Sequence, residues 1–413
     1  MTTKQGMWRT AGIVAASGIV LSGLTPAQAA APGEVRFATF NASLNRSSAG
    51  QLITDLSTPT NAQAANVAEI IQRTAPDVVL INEFDYDDAG TALRLFQDNY
   101  LSVPHNGAPA IEYAYSYTAP VNTGVPSGFD LDNSGSVGGP GDAYGFGFFP
   151  GQFGMAVYSK YPIDVEAIRT FQTFLWKDMP GALLPDDPLT PEPADYYSDE
   201  ELEVFRLSSK SHWDLPVQVG NATVHFLVSH PTPPVFDGPE DRNGTRNFDE
   251  IRLWADYITP AASGYIYDDE GVYGGLPRGA HFVVAGDQNS DPLDGDSIPG
   301  SIQQLLNDPR VNTNRTPDSL GAVQASAQQG GANRTHLSPP RFDTADFSDV
   351  PAPGNLRADY VLPSTTLSIR SSGVYWPTKF NPQYRLVYDP SFPFGVASSD
   401  HRLVRVDLRV PGA

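Results

Sequence analysis

The stretch DVVLINE at residues 77–83 decides the fold class. Its apolar centre is typical of a buried strand, and this strand ends in Glu83. An alternating stretch at residues 35–40 predicts an earlier strand, which is followed by Asn41. Apolar residues at helical spacing lie between the two strands, and this helix should stop before Pro76. The order strand, helix, strand predicts an α/β sheet whose site lies at the carboxyl ends of its strands.

The same pattern recurs downstream, where strand-like runs end in polar residues that can do chemistry. A hairpin at residues 217–228 and a strand at residues 281–285 are the clearest of these runs. Two further strands follow near the carboxyl end of the chain. The polar residues that these four strands position are His230, Asp287, Asn289, Asp359, Asp400 and His401.

Together with Asn41 and Glu83, these residues resemble, in order and in strand-end context, the endonuclease/exonuclease/phosphatase superfamily of DNase I-like enzymes. The resemblance spans residues 41–401, which is most of the chain. It implies an α/β (α+β) fold built as a four-layer α/β sandwich, with two packed mixed β-sheets flanked by helices. It also implies a metal-dependent hydrolase of phosphate esters, with its site in a cleft at one end of the sheets.

A secretory signal peptide is predicted at residues 1–30. Lys4 and Arg9 precede an apolar run at residues 11–24, and small residues that suit a cleavage site follow it. The run is shorter than the roughly 20 residues that span a bilayer. We therefore expect a secreted, extracellular protein with no stable membrane anchor, in which residues 31–413 form one domain.

Three loop insertions are expected within this domain, near residues 105–151, 177–203 and 315–355. The first is rich in Gly, Pro, Asp, Asn and Ser, a composition typical of loops. The second is acidic and Pro-rich, which predicts a solvated surface loop. The chain contains no cysteine, so its stability outside the cell must come from the core or from bound metal ions.

The candidate metal ligands are hard oxygen donors, the type that Mg²⁺ or Mn²⁺ prefers. Glu83 is the best of them, and Asn41 can add a neutral carbonyl without repelling a phosphate. Asp400 is expected to complete the set of ligands. Magnesium keeps several waters beside a few such ligands, so three side chains suffice.

The candidate catalytic residues are two acids, an amide and two imidazoles. Asp287 is placed to orient and deprotonate the attacking water, while Asn289 can hold a phosphate oxygen or the nucleophile. His230 would donate to a nonbridging oxygen, and His401 would be the second imidazole at the phosphate. As in the superfamily, Asp359 would hydrogen-bond the other nitrogen of His401 and fix its tautomer.

Two arginines near His230 are candidates for binding phosphate. Arg242 and Arg246 are unusual cations in so acidic a chain, and guanidinium groups suit phosphate geometry. The alternative is that they are surface residues paired with Asp241 and Asp249.

A second metal is suggested by the stretch DLDNSG at residues 130–135, which spaces oxygen ligands as in the first half of a calcium loop. The twelfth position, which holds Glu in an EF-hand, is Gly141, and no flanking helices are predicted, so an EF-hand is not expected. A structural Ca²⁺ and an Asx-rich turn both stay open for this stretch.

The expected substrate is a phosphate ester. The net charge of −21 rules out the usual basic nucleic-acid clamp and favours phosphomonoesters or small organophosphates, because a duplex nuclease adds Lys and Arg along its groove. An extracellular endonuclease or exonuclease acting on DNA or RNA is the alternative. A phospholipase C-like enzyme is third, with the aromatic stretch at residues 144–150 facing a bilayer or else packing the insertion onto the sandwich.

A catalytically dead module that binds phosphorylated ligands is the non-enzyme alternative. Retention of every acid and imidazole argues against it. No obligate protein partner is evident from the sequence.

Overall fold

The computed structural model describes residues 30–31 and 33–412. The predicted signal peptide lies outside the described residues, except for its last position. Among the described residues, no helix has the length and the apolar character needed to cross a membrane.

Residues 33–412 form thirteen strands and seven α-helices, joined by short 3₁₀ turns and one π turn. The strands are β1 (Glu34–Leu44), β2 (Val78–Phe84), β3 (Tyr115–Tyr117), β4 (Met155–Ser159), β5 (Arg169–Thr170), β6 (His212–Val219), β7 (Ala222–Ser229), β8 (His281–Asp287), β9 (Ala345–Asp346), β10 (Asn355–Leu356), β11 (Asp359–Pro363), β12 (Ser368–Val374) and β13 (Val404–Arg409). The helices are α1 (Gln51–Leu56), α2 (Ala62–Thr74), α3 (Thr91–Phe96), α4 (Asp199–Leu202), α5 (Arg242–Tyr257), α6 (Gln303–Leu306) and α7 (Leu320–Gln329).

Eleven of these thirteen strands form two mixed sheets of similar design, and β9 and β10 pair in a separate two-stranded sheet. The first has the order β12-β13-β1-β2-β4-β3, and the second has the order β11-β8-β7-β6-β5. Each sheet contains one parallel pair, β1 with β2 and β7 with β8. A helix connects the strands of each pair, α2 in the first sheet and α5 in the second. This is the connection that a parallel pair requires, and it places the carboxyl ends of both strands at one edge.

The two sheets pack face to face, and helices cover their outer faces. Phe37 of β1 and Phe226 of β7 meet in the inner core with ring centroids 5.5 Å apart. On the outside, Ile71 of α2 packs on the first sheet and Trp254 of α5 packs on the second. Each fully buried side chain of this kind contributes about 1.5–3 kcal/mol. The predicted four-layer sandwich is confirmed.

The first insertion is tied to the sandwich by hydrogen bonds at both ends. Asn122 Nδ2 donates to the carbonyls of Gln172 and Ser208, both at 2.7 Å. Gln152 Nε2 donates to the carbonyl of Arg46 at 2.7 Å.

The second insertion is only partly a solvated loop. Met179 and Tyr197 near its two ends are buried in the outer core, whereas Leu189 in its middle is 92% exposed. The prediction of a wholly solvated loop is therefore wrong for its ends. The acidic and proline-rich composition conceals the few apolar residues that anchor it.

Candidate active site

The carboxyl ends of the two parallel strand pairs bring the predicted residues together. Asn41 lies in β1 and Glu83 in β2, whereas Asp287 ends β8 and His230 directly follows β7. In the second sheet, β11 runs antiparallel to β8 and places Asp359 directly opposite Asp287. The site therefore lies where the two sheets meet, and it draws residues from both.

One oxygen of Asp287 is the centre of the cluster. Asn41 Nδ2 donates to Asp287 Oδ2 at 3.0 Å, and the Nε2 atoms of His230 and His401 lie 3.4 and 3.5 Å from the same oxygen. The other oxygen, Oδ1, accepts a hydrogen bond from the backbone N–H of Asn289 at 2.9 Å. An amide and two imidazoles thus converge on a single carboxylate oxygen.

The amide of Asn41 links the acids of the two sheets. Its Nδ2 also donates to Glu83 Oε1 at 3.1 Å, while its Oδ1 accepts from the backbone N–H of Ser43 at 3.3 Å. In this orientation the amide of Asn41 presents its N–H group to the carboxylates. To bind a metal ion through its carbonyl oxygen, the amide must rotate by about half a turn. Glu83 has a φ of 59°, a left-handed conformation that costs a non-glycine residue about 1–3 kcal/mol. Strain of this kind is concentrated at functional sites.

His401 and Asp359 form a buried pair. His401 Nδ1 lies 2.8 Å from Asp359 Oδ2, which also accepts from Thr344 Oγ1 at 2.8 Å. Burial lowers the pKa of His401, but the carboxylates of Asp359 and Asp287 outweigh burial and raise this pKa well above its ordinary value. The imidazole of His401 is therefore held protonated, with Nε2 facing Asp287.

The pKa values of His230 and Asp287 are shifted in directions that keep His230 neutral and Asp287 ionised. Burial, assisted by the charge of Lys210, lowers the pKa of His230. Burial raises the pKa of Asp287, but the charge of His401 and the hydrogen bonds from His230 and Asn41 outweigh it, so the net pKa is lowered. The pKa values of His230 and His401 are thus shifted in opposite directions by their environments. Such a separation is typical of groups with acid and base roles.

The two remaining predicted residues lie at the margin of this cluster. Asn289 has a φ of 50°, and its Nδ2 donates to the carbonyl of Pro231 at 3.1 Å. Asp400 is half-buried, and its Oδ1 accepts from Ser43 Oγ at 3.4 Å. Asp400 also contributes to the raised pKa of its neighbour His401. The structure brings both residues near the site without joining them to Asp287 through their side chains.

The structure does not bring the two candidate arginines into the cluster. Arg246 is buried, and its guanidinium donates to the carbonyls of Leu207, Tyr144 and Arg206. Arg242 pairs with Glu240 and lies over the ring of Tyr196. Arg246 thus fastens the first insertion to the sandwich, and Arg242 packs on the second. The predicted alternative, pairing with Asp241 and Asp249, is not what these contacts show either.

Lys210 is a cation of the site that the sequence did not reveal. It lies two residues before β6, and it is 7% exposed. Its charge acts on His230, and the charges of Glu250, Glu83 and Asp287 act on it in turn. Burial lowers its pKa against those attractions. The pairing of β6 with β7, in which His212 lies opposite Ser229, brings Lys210 towards His230, so no local motif identifies Lys210.

Asn82 and Asp85 lie close to Glu83 in sequence and tie its strand end to neighbouring segments. Asn82 is fully buried, and its Oδ1 accepts from the backbone N–H of Asp287 at 3.1 Å, which joins the two sheets. Asp85 accepts from the backbone N–H groups of Arg46 and Phe153 at 2.7 and 3.1 Å. Burial raises the pKa of Asp85 to about 7. The polar end of the DVVLINE strand was the available signal for Asn82, and Asp85 lies two residues beyond that stretch.

The residues of the site fit a divalent metal with hard character. One oxygen each of Asp287 and Asp359 and a ring nitrogen of His401 lie within 4.8 Å of one another, and Glu83 is half-buried beside them. Because His401 is held protonated, the carboxylates are the ligands that this group offers. Asp359 Oδ1 is buried and has no hydrogen-bond partner among residues 30–31 and 33–412. Carboxylate oxygens with one amide are the donor set that Mg²⁺ and Mn²⁺ prefer.

Comparison with known proteins identifies the family. A profile of the "Endonuclease/Exonuclease/phosphatase family" matches residues 38–401. No curated protein sequence matches the chain.

Solved structures resemble the chain over most of its length at low identity. An endonuclease/exonuclease/phosphatase from Beutenbergia cavernae is 17% identical, with 91% of this chain and 72% of that chain covered and a TM-score of 0.47. Sphingomyelinase C from Streptomyces griseocarneus is 14% identical, with 91% and 99% covered and a TM-score of 0.45. A mannosyl-6-phosphatase from Bacteroides thetaiotaomicron is 11% identical, with 91% and 99% covered and a TM-score of 0.42.

Proposed function

The chain belongs to the endonuclease/exonuclease/phosphatase family and is a metal-dependent hydrolase of phosphate esters, and from this premise we propose its substrate class and the roles of its residues. The protein hydrolyses phosphomonoesters or small organophosphates by in-line attack of an activated water. The observation that carries the proposal is the convergence of Asn41, His230 and His401 on Asp287 Oδ2.

Asp287 is the residue that orients the attacking water and accepts its proton. Its lowered pKa keeps it ionised, and Asn289 fixes its second oxygen through a backbone N–H. Attack forms a bond from the water oxygen to phosphorus as the bond to the leaving oxygen breaks. General base catalysis by a positioned carboxylate typically contributes about 10²–10⁴-fold.

The two imidazoles stabilise the phosphate as charge grows on its oxygens. His401 is held protonated by Asp359 and Asp287 and donates through Nε2 to a nonbridging oxygen. His230 is neutral and donates through Nε2 as well, since its Nδ1 is buried without a partner in the part of the chain that the structure describes. Donors that are fixed in place before reaction stabilise the transition state without reorganising.

Glu83, Asn41 and Asp400 would hold the divalent ion, for which we propose Mg²⁺ or Mn²⁺. When bound, such an ion neutralises charge on the phosphate and on the leaving oxygen. Ca²⁺, where it binds, has a structural role in the first insertion.

The electrostatics support a small substrate. The chain has a net charge of −21, and Lys210 is the lysine whose charge acts on the cluster. One lysine and one charged imidazole suit a single phosphate group, whereas a duplex requires a track of cations.

Parallel assays of three substrates test the proposal: an aryl phosphomonoester, a bis-aryl phosphodiester and supercoiled plasmid. Each is run with Mg²⁺, Mn²⁺ or EDTA, and Asp287→Asn serves as the control for contaminating hydrolases. We expect EDTA-sensitive hydrolysis of the monoester and an intact plasmid. A nicked plasmid with an untouched monoester would replace the proposal with the nuclease alternative.

A phospholipase C-like activity is the second candidate, because two aromatic rings project from the first insertion. Phe146 and Phe148 are 57% and 68% exposed, and their ring centroids lie 5.6 Å apart. Exposed aromatic pairs of this kind suit insertion into a lipid interface. If the candidate is correct, the Phe146→Ala/Phe148→Ala variant loses hydrolysis of sphingomyelin vesicles and keeps hydrolysis of a soluble ester.

Export is the last part of the proposal, and it rests on the leader pattern at residues 1–30. Mass spectrometry of the protein from the culture medium tests it. We expect a mature amino terminus close to residue 31, and retention of the intact chain in the cell would contradict export.

A further inference from the structure

A second acidic cluster lies in the first insertion, on different residues from those of the Asp287 cluster. One carboxylate oxygen from each of Asp130, Asp132 and Asp142 lies within 4.8 Å of the others. Calcium binds oxygen at about 2.3–2.6 Å, so two ligands of the same ion are up to about 5 Å apart. The three carboxylates are therefore close enough to share one calcium ion.

Asp142 contributes an oxygen that no group among the described residues satisfies. Its side chain is 2% exposed, and its Oδ2 accepts from the backbone N–H groups of Gly138 and Gly139 at 2.7 and 3.0 Å. Its Oδ1 is buried and has no hydrogen-bond partner in the described part of the chain. A buried carboxylate oxygen without a partner is costly, and a bound cation would remove that cost.

The donors that reach these carboxylates are all uncharged. Asp130 accepts from the backbone N–H groups of Ser134 and Gly135 and from the hydroxyl of Ser134, and Asp132 accepts from the N–H of Ser134. These bonds orient the oxygens but do not offset the repulsion among three like charges at short range. The cluster is thus arranged for a cation that the protein itself does not supply.

The backbone around the cluster is shaped as a calcium loop requires. Asp130, Asp132 and Ser134 occupy alternate positions, and Gly135 follows in the sixth position with a φ of 87°. This is the ligand order of the first half of a calcium loop, which places a glycine at the sharp turn. The sequence pattern lacked a carboxylate at its twelfth position. The structure supplies one at the thirteenth, Asp142.

Gly141 makes the close approach possible. A Cβ added at Gly141 would collide with Asp132 Oδ2. A side chain at this position would force Asp132 to shift.

We propose that Asp130, Asp132 and Asp142 bind one Ca²⁺ that holds the first insertion in its folded form. The carbonyl of Tyr144, two residues after Asp142, accepts from Arg246, and Gln152 donates to the carbonyl of Arg46. The ion therefore stabilises a loop whose far end is fastened beside the strand ends that carry the active site. Its role is structural, and it takes no part in the reaction.

Calcium binding by the full mature chain tests the proposal, with Tb³⁺ luminescence and calorimetry as readouts and Mg²⁺ present to saturate the active site. We expect uptake of one Ca²⁺ per chain, a Tm higher by about 2–4 °C and slower proteolysis within residues 127–142. Asp142→Asn and Asp130→Asn should each weaken Ca²⁺ binding by roughly tenfold or more, because each removes one charged ligand. Asp186→Asn, which removes an exposed carboxylate from the second insertion, should bind as the wild type does.

Three results would overturn the proposal. The first is a wild-type chain that takes up no Ca²⁺ in the presence of Mg²⁺. The second is a folded Asp142→Asn variant with unchanged affinity; if that buried substitution prevents folding, the half-exposed Asp130→Asn decides instead. The third is loss of Ca²⁺ binding in Glu83→Gln with retention in Asp142→Asn, which would place the ion in the active site.

Discussion

His401 Nδ1 lies 2.8 Å from Asp359 Oδ2, across 42 positions of sequence, and both side chains are buried. The contact exists because β11 places Asp359 opposite Asp287, while the segment before β13 delivers His401 from the other sheet. A carboxylate at Nδ1 leaves Nε2 as the atom that faces the site. It also keeps the ring charged, since its negative charge raises the pKa of His401.

Asp359→Asn should lower kcat/KM by at least about tenfold and shift its pH profile. His401 loses its proton as pH rises through its raised pKa. Without the charge of Asp359, the proton is lost at a lower pH. The alkaline limb of kcat/KM against pH should therefore move to lower pH. Asp389→Asn, a half-buried aspartate whose carboxylate accepts from Ser391, is the control. If kcat/KM falls but the alkaline limb of its pH profile stays in place, Asp359 only supports packing.

Asp287→Asn should reduce kcat by about 10²–10⁴-fold, because the amide cannot accept the proton of the attacking water. Asparagine keeps the size of the side chain and one oxygen for the Asn289 N–H. Circular dichroism and Tm establish that the variant is folded, and steady-state hydrolysis of an aryl phosphomonoester gives the rate. Hydrolysis at the wild-type rate would remove Asp287 from the mechanism.

The strand ends were predictable from sequence because a strand and the polar residue after it are local features. Glu83 and Asp287 follow apolar runs, and parallel pairing then brings such residues together whatever the loops do. The position of Arg246 was not predictable, since its partners are carbonyls of residues about 40 and 100 positions away. Family order supplied the pairing of Asp359 with His401, which periodicity alone could not.

Residues that act through long-range proximity were missed for the same reason. Lys210 reaches the cluster because β6 and β7 pair in a register that joins His212 to Ser229. Asp142 reaches Asp130 and Asp132 because the insertion folds back on itself, and its distance along the chain matches no standard calcium loop. Neither the position of Lys210 nor that of Asp142 can be predicted from the local sequence.

Lys210→Met should raise KM for a phosphomonoester by about tenfold, with a smaller change in kcat. A buried ammonium beside Glu83 and Asp287 attracts the phosphate dianion, and methionine keeps the length of the side chain without the charge. Lys210→Arg should recover part of the loss. The KM and kcat of all three proteins, measured at constant ionic strength, check the prediction, and an unchanged KM in a folded Lys210→Met variant would contradict it.

Arg246→Met should destabilise the protein by about 2–4 kcal/mol rather than weaken phosphate binding. The substitution leaves three carbonyls of the Leu207 and Tyr144 segments without their donor, and buried groups of this kind are costly when unpaired. Arg242→Met, whose side chain is half-buried beside Glu240, should cost less than about 1 kcal/mol. Urea denaturation measures the first effect. A kcat/KM that falls while stability is unchanged would restore the phosphate-binding role.

Asp343→Asn should stabilise the protein at high pH and leave it unchanged at low pH. Asp343 is 2% exposed; burial, with the charges of Asp291 and Asp294, raises its pKa to about 8. Below about pH 4 the side chain is protonated in both the folded and the unfolded state. As pH rises, the unfolded chain loses this proton first, so the wild type loses stability until about pH 8 and the loss then levels off.

Asparagine is uncharged at every pH, as the protonated aspartate is. The Asp343→Asn variant should therefore not lose stability as pH rises from about 4 to 8. We expect its free energy of unfolding to match the wild type near pH 4 and to exceed it by about 1–3 kcal/mol near pH 9. Urea denaturation at both pH values, at one fixed Mg²⁺ concentration, measures the difference. Asp186→Asn, which alters an exposed carboxylate, is the control. The difference in free energy of unfolding between the variant and the wild type is the deciding quantity. If this difference is the same at both pH values, Asp343 is ionised in the folded protein.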